Sequence, residues 1–140
     1  MRANDKQIAG KHYVAEYQHW DFVADALSGR YLEGVITKYI TRWRKKNGVE
    51  DLLKAQHYLE KLVETYFKYI PLGTRDRAVY PCQSVLEIYD VQPLISRFVL
   101  SNQLTPQEVA LITAVATWEN HTDLQAAQQL LAQYIEEVRP

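Results

Sequence analysis

A chain of 140 residues with 47 % hydrophobic and 24 % charged residues has the composition of one globular domain, which excludes wholesale disorder. Its single cysteine excludes an intramolecular disulfide and a cysteine-rich metal site, and no apolar run reaches the roughly 18 residues that would indicate a membrane span. The first residues are polar and lack the apolar core of a signal peptide, so we expect a soluble, cytoplasmic protein with no membrane partner.

The net charge of −1 conceals an uneven distribution along the chain. Residues 30–54 contain seven cations against three acids, whereas residues 84–140 contain two cations against seven acids. The first of these segments therefore favours an anionic ligand. Its basic stretch is small for long nucleic acid, which usually requires a broader basic surface, so a phosphate-bearing small molecule fits the scale better.

In chain order, residues 1–17 show little periodicity, and we expect an extended lead-in that packs over the next helices as a lid. A short N-terminal helix is predicted from Trp20 to Leu27, ended near Ser28-Gly29. Two long amphipathic helices follow at about 30–46 and 50–69, because apolar residues recur there with helical spacing. In the first of them these residues are Tyr31, Leu32, Val35, Ile36, Tyr39, Ile40 and Trp43.

The junction between the two long helices predicts a tight reversal of the chain. Asn47-Gly48 supplies the left-handed residue that commonly ends a helix. The cations of residues 44–46 suit the negative end of the first helix dipole, and Glu50 and Asp51 suit the positive end of the next. We therefore expect an antiparallel helical hairpin as the core of a region spanning residues 1–70.

The second half of the sequence predicts further helices and no strand. A loop over 71–83 follows the break at Ile70-Pro71, and Pro93 should separate a short helix near 84–90 from another near 93–101. Thr105-Pro106-Gln107-Glu108 has the pattern of a capping box opening a helix to about Trp118. A last helix is predicted from the start at Thr122 to about Val138. The fold class is all-α, with 84–140 as a C-terminal helical region packed as one domain with the first.

The candidate ligand site lies on the first long helix. On a wheel of about 100° per residue, Lys38, Arg42 and Lys45 share one narrow sector beside Tyr31. Cations at this spacing next to an aromatic ring suit a phosphate with a stacked base. The same pattern is also typical of a solvated cationic edge that pairs with acids on a neighbouring helix.

Aromatic and histidine side chains near the N-terminus are further candidates for ligand contact. Trp20 lies in a less regular segment, which favours stacking on a ligand more than the helix-stripe positions of the tyrosines do. His12 and Tyr13 are equally consistent with ligand contact and with simple packing of the lead-in.

Motifs for phosphate transfer and metal binding are sparse. Gly29 and Gly34 have the glycine spacing of a P-loop, but Val35-Ile36 follows where lysine and serine or threonine are required. Glu50 and Asp51 are the candidate ligands for Mg²⁺, which often uses one or two carboxylates together with substrate phosphates. Cys82 has no histidine nearby in sequence, which argues against a catalytic thiol.

A longer pattern supports a family resemblance. It comprises His12-Tyr13, Trp20-Asp21-Phe22-Val23, and the run Gly34-x-x-x-Lys38-Tyr39-Ile40-x-Arg42-x-x-Lys45-Lys46-Asn47-Gly48-x-Glu50-Asp51-Leu52-x-Lys54-Ala55-x-x-Tyr58-Leu59. This pattern resembles a bacteriophage family of small, nucleotide kinase-like helical proteins, much of which is catalogued as a domain of unknown function. The resemblance covers about residues 8–66. The opening Ile8-Ala9-Gly10-Lys11 lacks the first histidine and the proline that are usual in that family.

The resemblance implies a phage protein acting in the cytoplasm of the infected bacterium. In that family, a member phosphorylates deoxynucleoside monophosphates without a P-loop, so the first hypothesis is a nucleotide-binding protein, with ATP and Mg²⁺ as cofactors if it is a kinase. A second is non-catalytic sequestration of a cyclic or ADP-ribose-type immune signal, as an anti-defence protein. A third is a protein–protein inhibitor of a host enzyme. We also expect a homo-oligomer, because a two-helix hairpin leaves much apolar surface to cover.

Overall fold

The computed structural model describes residues 15–69 and 90–140, and within them the chain forms α-helices and no strand. The all-α fold class is therefore confirmed. The helices are α1 (His19–Ala26), α2 (Tyr31–Arg42), α3 (Val49–Tyr69), α4 (Gln92–Asn102), α5 (Pro106–Thr117) and α6 (His121–Val138). The predicted loop over 71–83 and all but the last residue of the predicted helix near 84–90 lie outside the described residues; Asp90, that last residue, is not helical.

The hairpin of α2 and α3 is present, but its first helix is shorter than predicted. The α-helix ends at Arg42, and Trp43–Lys45 continue as a single 3₁₀ turn. Gly48 has a φ of +64° and donates its backbone N–H to the Trp43 carbonyl at 2.8 Å, which closes the turn. A 3₁₀ turn has fewer residues per turn than an α-helix, so Lys45 no longer lies in the helix sector that an uninterrupted α-helix would share with Lys38 and Arg42.

The C-terminal helices begin close to where the sequence places them. Pro93 lies in the first turn of α4, where its missing N–H leaves no helical hydrogen bond unmade. Thr105 caps α5 in a capping box with Glu108, as predicted. The cap of α6 is Asn120, whose side-chain oxygen accepts from the Asp123 N–H at 3.0 Å, two residues before the predicted start at Thr122.

The two halves of the sequence bury a common hydrophobic core. The rings of Phe22 in α1 and Phe98 in α4 stack with centroids 4.6 Å apart. Helices α5 and α6 cover the hairpin, where Trp43 meets the ring of Tyr134 edge-on at 5.7 Å. Within the described ranges, none of the helices combines the length and apolar character that a membrane crossing would need.

Candidate functional site

A groove of about 320 Å³ lies between α1 and the first two turns of α2. The chain reverses between these helices at Ser28 and Gly29, which both have positive φ values. Helix α1 approaches α2 closely because Gly34 has no side chain: a Cβ atom there would lie 3.3 Å from Cγ1 of Val23. The groove is thus a direct consequence of a tight turn and one glycine.

Two exposed aromatic side chains border the groove. Trp20 is 52 % exposed and Tyr31 is 69 % exposed, although both have large apolar rings. The Tyr31 ring lies edge-on to Tyr58 at a centroid distance of 6.4 Å, and the hydrogen bond between their hydroxyls raises the pKa of Tyr31. Exposed rings beside a cavity are well placed to stack on a planar ligand. The structure therefore brings together two of the predicted aromatic contacts.

Lys38 borders the same groove, as the third predicted residue found there. Its Nζ atom lies 4.8 Å from the centroid of the Tyr39 ring. Among residues 15–69 and 90–140, no carboxylate lies within 4.0 Å of this ammonium group. Its charge is consequently not neutralised by a direct ion pair within the described chain.

Arg30 also contributes to the groove, from a buried position at the start of α2. Its guanidinium lies 3.1 Å from the Glu33 carboxylate, and its Nε atom donates to the Leu27 carbonyl at 2.8 Å. Glu33 in turn accepts a hydrogen bond from Nε1 of Trp118 at 3.3 Å. The Arg30 charge is thus largely balanced, and this ion pair fastens the groove to the end of α5.

His19 is a groove residue that the sequence reasoning missed. Its Nε2 atom lies 2.8 Å from Oγ1 of Thr37, and both side chains are part of the α1–α2 contact. Burial, together with the nearby charge of Lys38, lowers the pKa of His19 to about 3. The ring is therefore neutral at physiological pH. Its partner is 18 residues away in sequence, so local spacing gave no signal for the pair.

Arg42, a predicted phosphate contact, does not line the groove and instead pairs with a carboxylate across the hairpin. Its Nε atom lies 3.3 Å from Oδ2 of Asp51, which is fully buried. The other Asp51 oxygen accepts from the Asn47 amide at 3.2 Å. The ion pair therefore joins the two helices of the hairpin across its turn. This is what the second interpretation of the cationic helix edge, pairing with acids on a neighbouring helix, predicts for Arg42.

The predicted magnesium ligands do not form a site that fits the ion. Both carboxylate oxygens of Asp51 accept hydrogen bonds from the chain, whereas Glu50 is exposed and its oxygen lies 4.0 Å from Nζ of Lys54. Within the described residues, no three potential metal ligands cluster. Both oxygens of Asp51 are thus engaged within the hairpin.

The remaining predicted site residues do not join the groove. Lys45 lies exposed in the 3₁₀ turn after Arg42 and does not line it. His12 and Tyr13 lie outside the described residues.

A second cationic residue, which the sequence analysis did not select, lies on the hairpin face next to the groove. Nζ of Lys54 is 5.7 Å from the centroid of the Tyr39 ring, which Lys38 and Arg42 approach to 4.8 and 4.9 Å. The ring therefore holds three positive groups near one another through cation–π contacts. Arg42 and Lys54 are also near the carboxylates of Asp51 and Glu50, whereas Lys38 both contacts this ring and lines the groove.

Residues 8–60 match the model of a family described as a protein of unknown function (DUF3310). The match covers less than half of the chain, and it includes every described residue that lines the groove. No curated protein matches the chain, and no solved structure matches it. The match supports a family of unknown function over residues 8–60, and it carries no activity, ligand or phage origin.

Proposed function

We propose that this protein binds a small phosphorylated molecule of nucleotide type in the groove between α1 and α2. The observation that supports this proposal is the convergence of Trp20, Tyr31 and Lys38 on one cavity. A base that stacks on an exposed aromatic ring gains roughly 1–3 kcal/mol, and an ammonium group is a common phosphate partner. Stacking on the rings would cover their exposed apolar surface, and a phosphate would pair with the ammonium group of Lys38.

Of the possible modes, binding without turnover fits the described residues better than phosphoryl transfer. A kinase must position two nucleotides and neutralise the charge of the transferred group, usually with Mg²⁺. The candidate magnesium carboxylate Asp51 is committed to Arg42 and Asn47. In a phage, as the sequence resemblance implies, a non-catalytic binder would sequester a nucleotide signal of the host.

Thermal unfolding against a nucleotide panel tests the proposal. The panel should contain nucleoside monophosphates, cyclic dinucleotides and ADP-ribose, because these cover the ligand classes of the kinase and sequestration hypotheses. A ligand at about 100 times its Kd stabilises the folded state by roughly 2.7 kcal/mol, which raises the Tm by several degrees. If no panel member shifts the Tm of folded protein, the nucleotide proposal fails.

Two variants locate the binding site, and a third is their control. We expect Trp20→Ala and Lys38→Ala each to weaken binding by about tenfold, since each removes one of the two contact types. Lys45→Ala removes the same charge from an exposed position outside the groove and should leave the Kd unchanged. Equal losses for Lys38→Ala and Lys45→Ala would indicate general charge attraction instead of a built site.

Recovery of the ligand separates binding from turnover. The protein is incubated with dGMP or dTMP, ATP and Mg²⁺, denatured, and the nucleotides are identified by mass. We expect the intact monophosphate and no diphosphate. Formation of the diphosphate at a rate proportional to protein concentration would replace sequestration with the kinase function.

A further inference from the structure

The hydroxyl of Thr37 occupies a crowded polar position next to His19, which lines the groove. Its Oγ1 atom lies 2.9 Å from the Glu33 carbonyl oxygen, 3.2 Å from the Gly34 carbonyl oxygen and 2.8 Å from Nε2 of His19. Thr37 itself is fully buried. A hydroxyl has a single proton, so these three contacts cannot all receive it.

Proton counting at this hydroxyl decides the state of the histidine. Carbonyl oxygens only accept, so the Thr37 proton must go to the helix carbonyls for those short contacts to be favourable. This is the usual bond of a threonine inside a helix to the carbonyl four residues earlier. Oγ1 must then accept from His19, whose proton is therefore on Nε2. The opposite assignment would place hydroxyl and carbonyl lone pairs against each other at 2.9 and 3.2 Å.

The Nε2-protonated neutral ring leaves Nδ1 as a hydrogen-bond acceptor. Burial and Lys38 lower the pKa of His19 to about 3, so the ring does not gain a second proton near neutral pH. In the part of the chain that the structure describes, Nδ1 has no hydrogen-bond partner, and it is not among the fully enclosed polar atoms. His19 itself lines the groove.

Three other polar side chains around the groove have the opposite character. The ammonium of Lys38, the guanidinium of Arg30 and the indole of Trp20 are donors only, whereas the hydroxyl of Tyr31 both donates and accepts and is bonded to Tyr58. An acceptor beside these three donors sets a second requirement on the ligand, in addition to its negative charge.

We propose that Nδ1 of His19 accepts a hydrogen bond from a donor on the nucleoside part of the ligand, which makes His19 a specificity-determining residue. The ligand class is then an anion for Lys38 that also carries a base N–H or a sugar O–H toward α1. This inference rests on the proposed function, since it assigns the chemistry of the same groove.

The first measurement needs no ligand. Long-range proton–nitrogen NMR correlations of the histidine ring report which nitrogen carries the proton. We expect the Nε2–H tautomer for His19 at pH 7 in the wild type and in Thr37→Ser, which keeps the hydroxyl. Thr37→Val removes the acceptor and should allow both tautomers. An Nδ1–H ring in the wild type overturns the proposal even if nucleotides bind.

The second measurement compares matched ligands. AMP, GMP, CMP and UMP are each tested against a counterpart whose base N–H groups are methylated and against the 2′-deoxy and 3′-deoxy forms. We expect one of these changes to weaken binding by about threefold to tenfold, the effect of one hydrogen bond. Loss on methylation identifies a base donor, and loss on deoxygenation identifies a sugar donor. If every parent nucleotide binds and neither change weakens it, the role of His19 is overturned while nucleotide binding stands.

Two variants of His19 test whether the preference for the unmodified nucleotide depends on Nδ1. The amide of His19→Asn can place an oxygen where Nδ1 lies, and the longer His19→Gln can place its nitrogen near Nε2 and keep the donor to Thr37. We expect His19→Asn to retain the preference for the unmodified ligand and His19→Gln to lose it. A retained preference in a folded His19→Gln protein contradicts the assignment. Failure of all nucleotides to bind the wild type overturns the proposed function instead.

Discussion

The carboxylate of Glu108 and the guanidinium of Arg44 form a two-point ion pair. Nε of Arg44 lies 2.9 Å from Oε2, and Nη2 lies 2.9 Å from Oε1. The same carboxylate accepts from Nε1 of Trp43 at 2.7 Å and from the backbone N–H of Thr105 at 2.8 Å. Glu108 is fully buried, so one carboxylate joins the turn of the hairpin to the start of α5.

Glu108→Gln should destabilise the fold by about 2–4 kcal/mol. The substitution keeps the side-chain size but replaces the carboxylate with a neutral amide. Arg44 then loses its counter-charge, and the two donors that face the amide nitrogen lose their acceptor. The free energy of unfolding from a urea titration measures the loss. Glu136→Gln is the matched control, because its ion pair with Arg139 is solvent-exposed and should contribute at most about 0.5 kcal/mol. Equal effects of the two variants would contradict the structural role of Glu108.

Acid should weaken the fold partly through Glu108. Burial raises the pKa of this carboxyl, but hydrogen bonds from Arg44, Thr105 and Trp43 outweigh burial and hold the pKa below its usual range. Its stabilising contribution is therefore complete above the ordinary carboxyl pKa of about 4.3 and is lost as the pH falls through the lower folded-state value. The stability difference between wild type and Glu108→Gln should shrink below that pH. A difference that stays constant between pH 7 and 3 would exclude this linkage.

Asp51→Asn should cost about 3 kcal/mol of stability, because it removes the charge that a largely buried Arg42 guanidinium faces. Glu50→Gln, at the exposed neighbouring position, should change stability by less than about 0.5 kcal/mol. Unfolding is measured with and without Mg²⁺. A structural Asp51 predicts the same loss in both conditions. Stabilisation of the wild type by Mg²⁺ that disappears in both variants would restore the predicted metal role.

The difference between predicted and observed sites has a physical cause in the range of the interactions. The capping box of Thr105 and Glu108 is a local pattern, so the sequence reveals it directly. The ion pair between Arg44 and the same glutamate joins residues that are 64 apart, so no local sequence pattern predicts it. For the same reason helical spacing groups Lys38 with Arg42, whereas the turn brings Asp51 to Arg42 and only Lys38 of the two lines the groove.

Fold class and most helix boundaries followed from periodicity and capping, because these depend on neighbours within a few residues. The sequence also indicates Trp20, Tyr31 and Lys38, which line the groove, since large rings and cations are informative by type alone. The sequence does not indicate His19 as a groove residue, because its burial, its neutral ring and its contact with Thr37 all depend on the packing of two different helices. Local patterns thus identify candidate contacts, and tertiary packing decides which of them share a cavity.

His19 should remain neutral throughout the physiological range. Burial, with Lys38 second, lowers its pKa to about 3, whereas an unfolded histidine titrates near 6.5. The contribution of His19 to stability is therefore complete above pH about 6.5 and declines as the pH falls toward the folded value. Ring NMR signals of His19 should not move between pH 8 and 5. In Lys38→Ala the pKa should rise part of the way, since burial persists; a normal titration near 6.5 in the wild type would contradict the packed position of the ring.

The spacing of α1 and α2 should depend on the coupling between Gly34 and Val23. Gly34→Ala gains helix propensity, worth about 1 kcal/mol, but its Cβ would lie 3.3 Å from Cγ1 of Val23. In Val23→Ala that methyl group is absent, so Gly34→Ala should be more favourable there than in the wild type. A double-mutant cycle of unfolding free energies should give a coupling of about 0.5–2 kcal/mol of this sign. Additive effects would mean that the helices separate freely, in which case a glycine is not needed to keep the groove narrow.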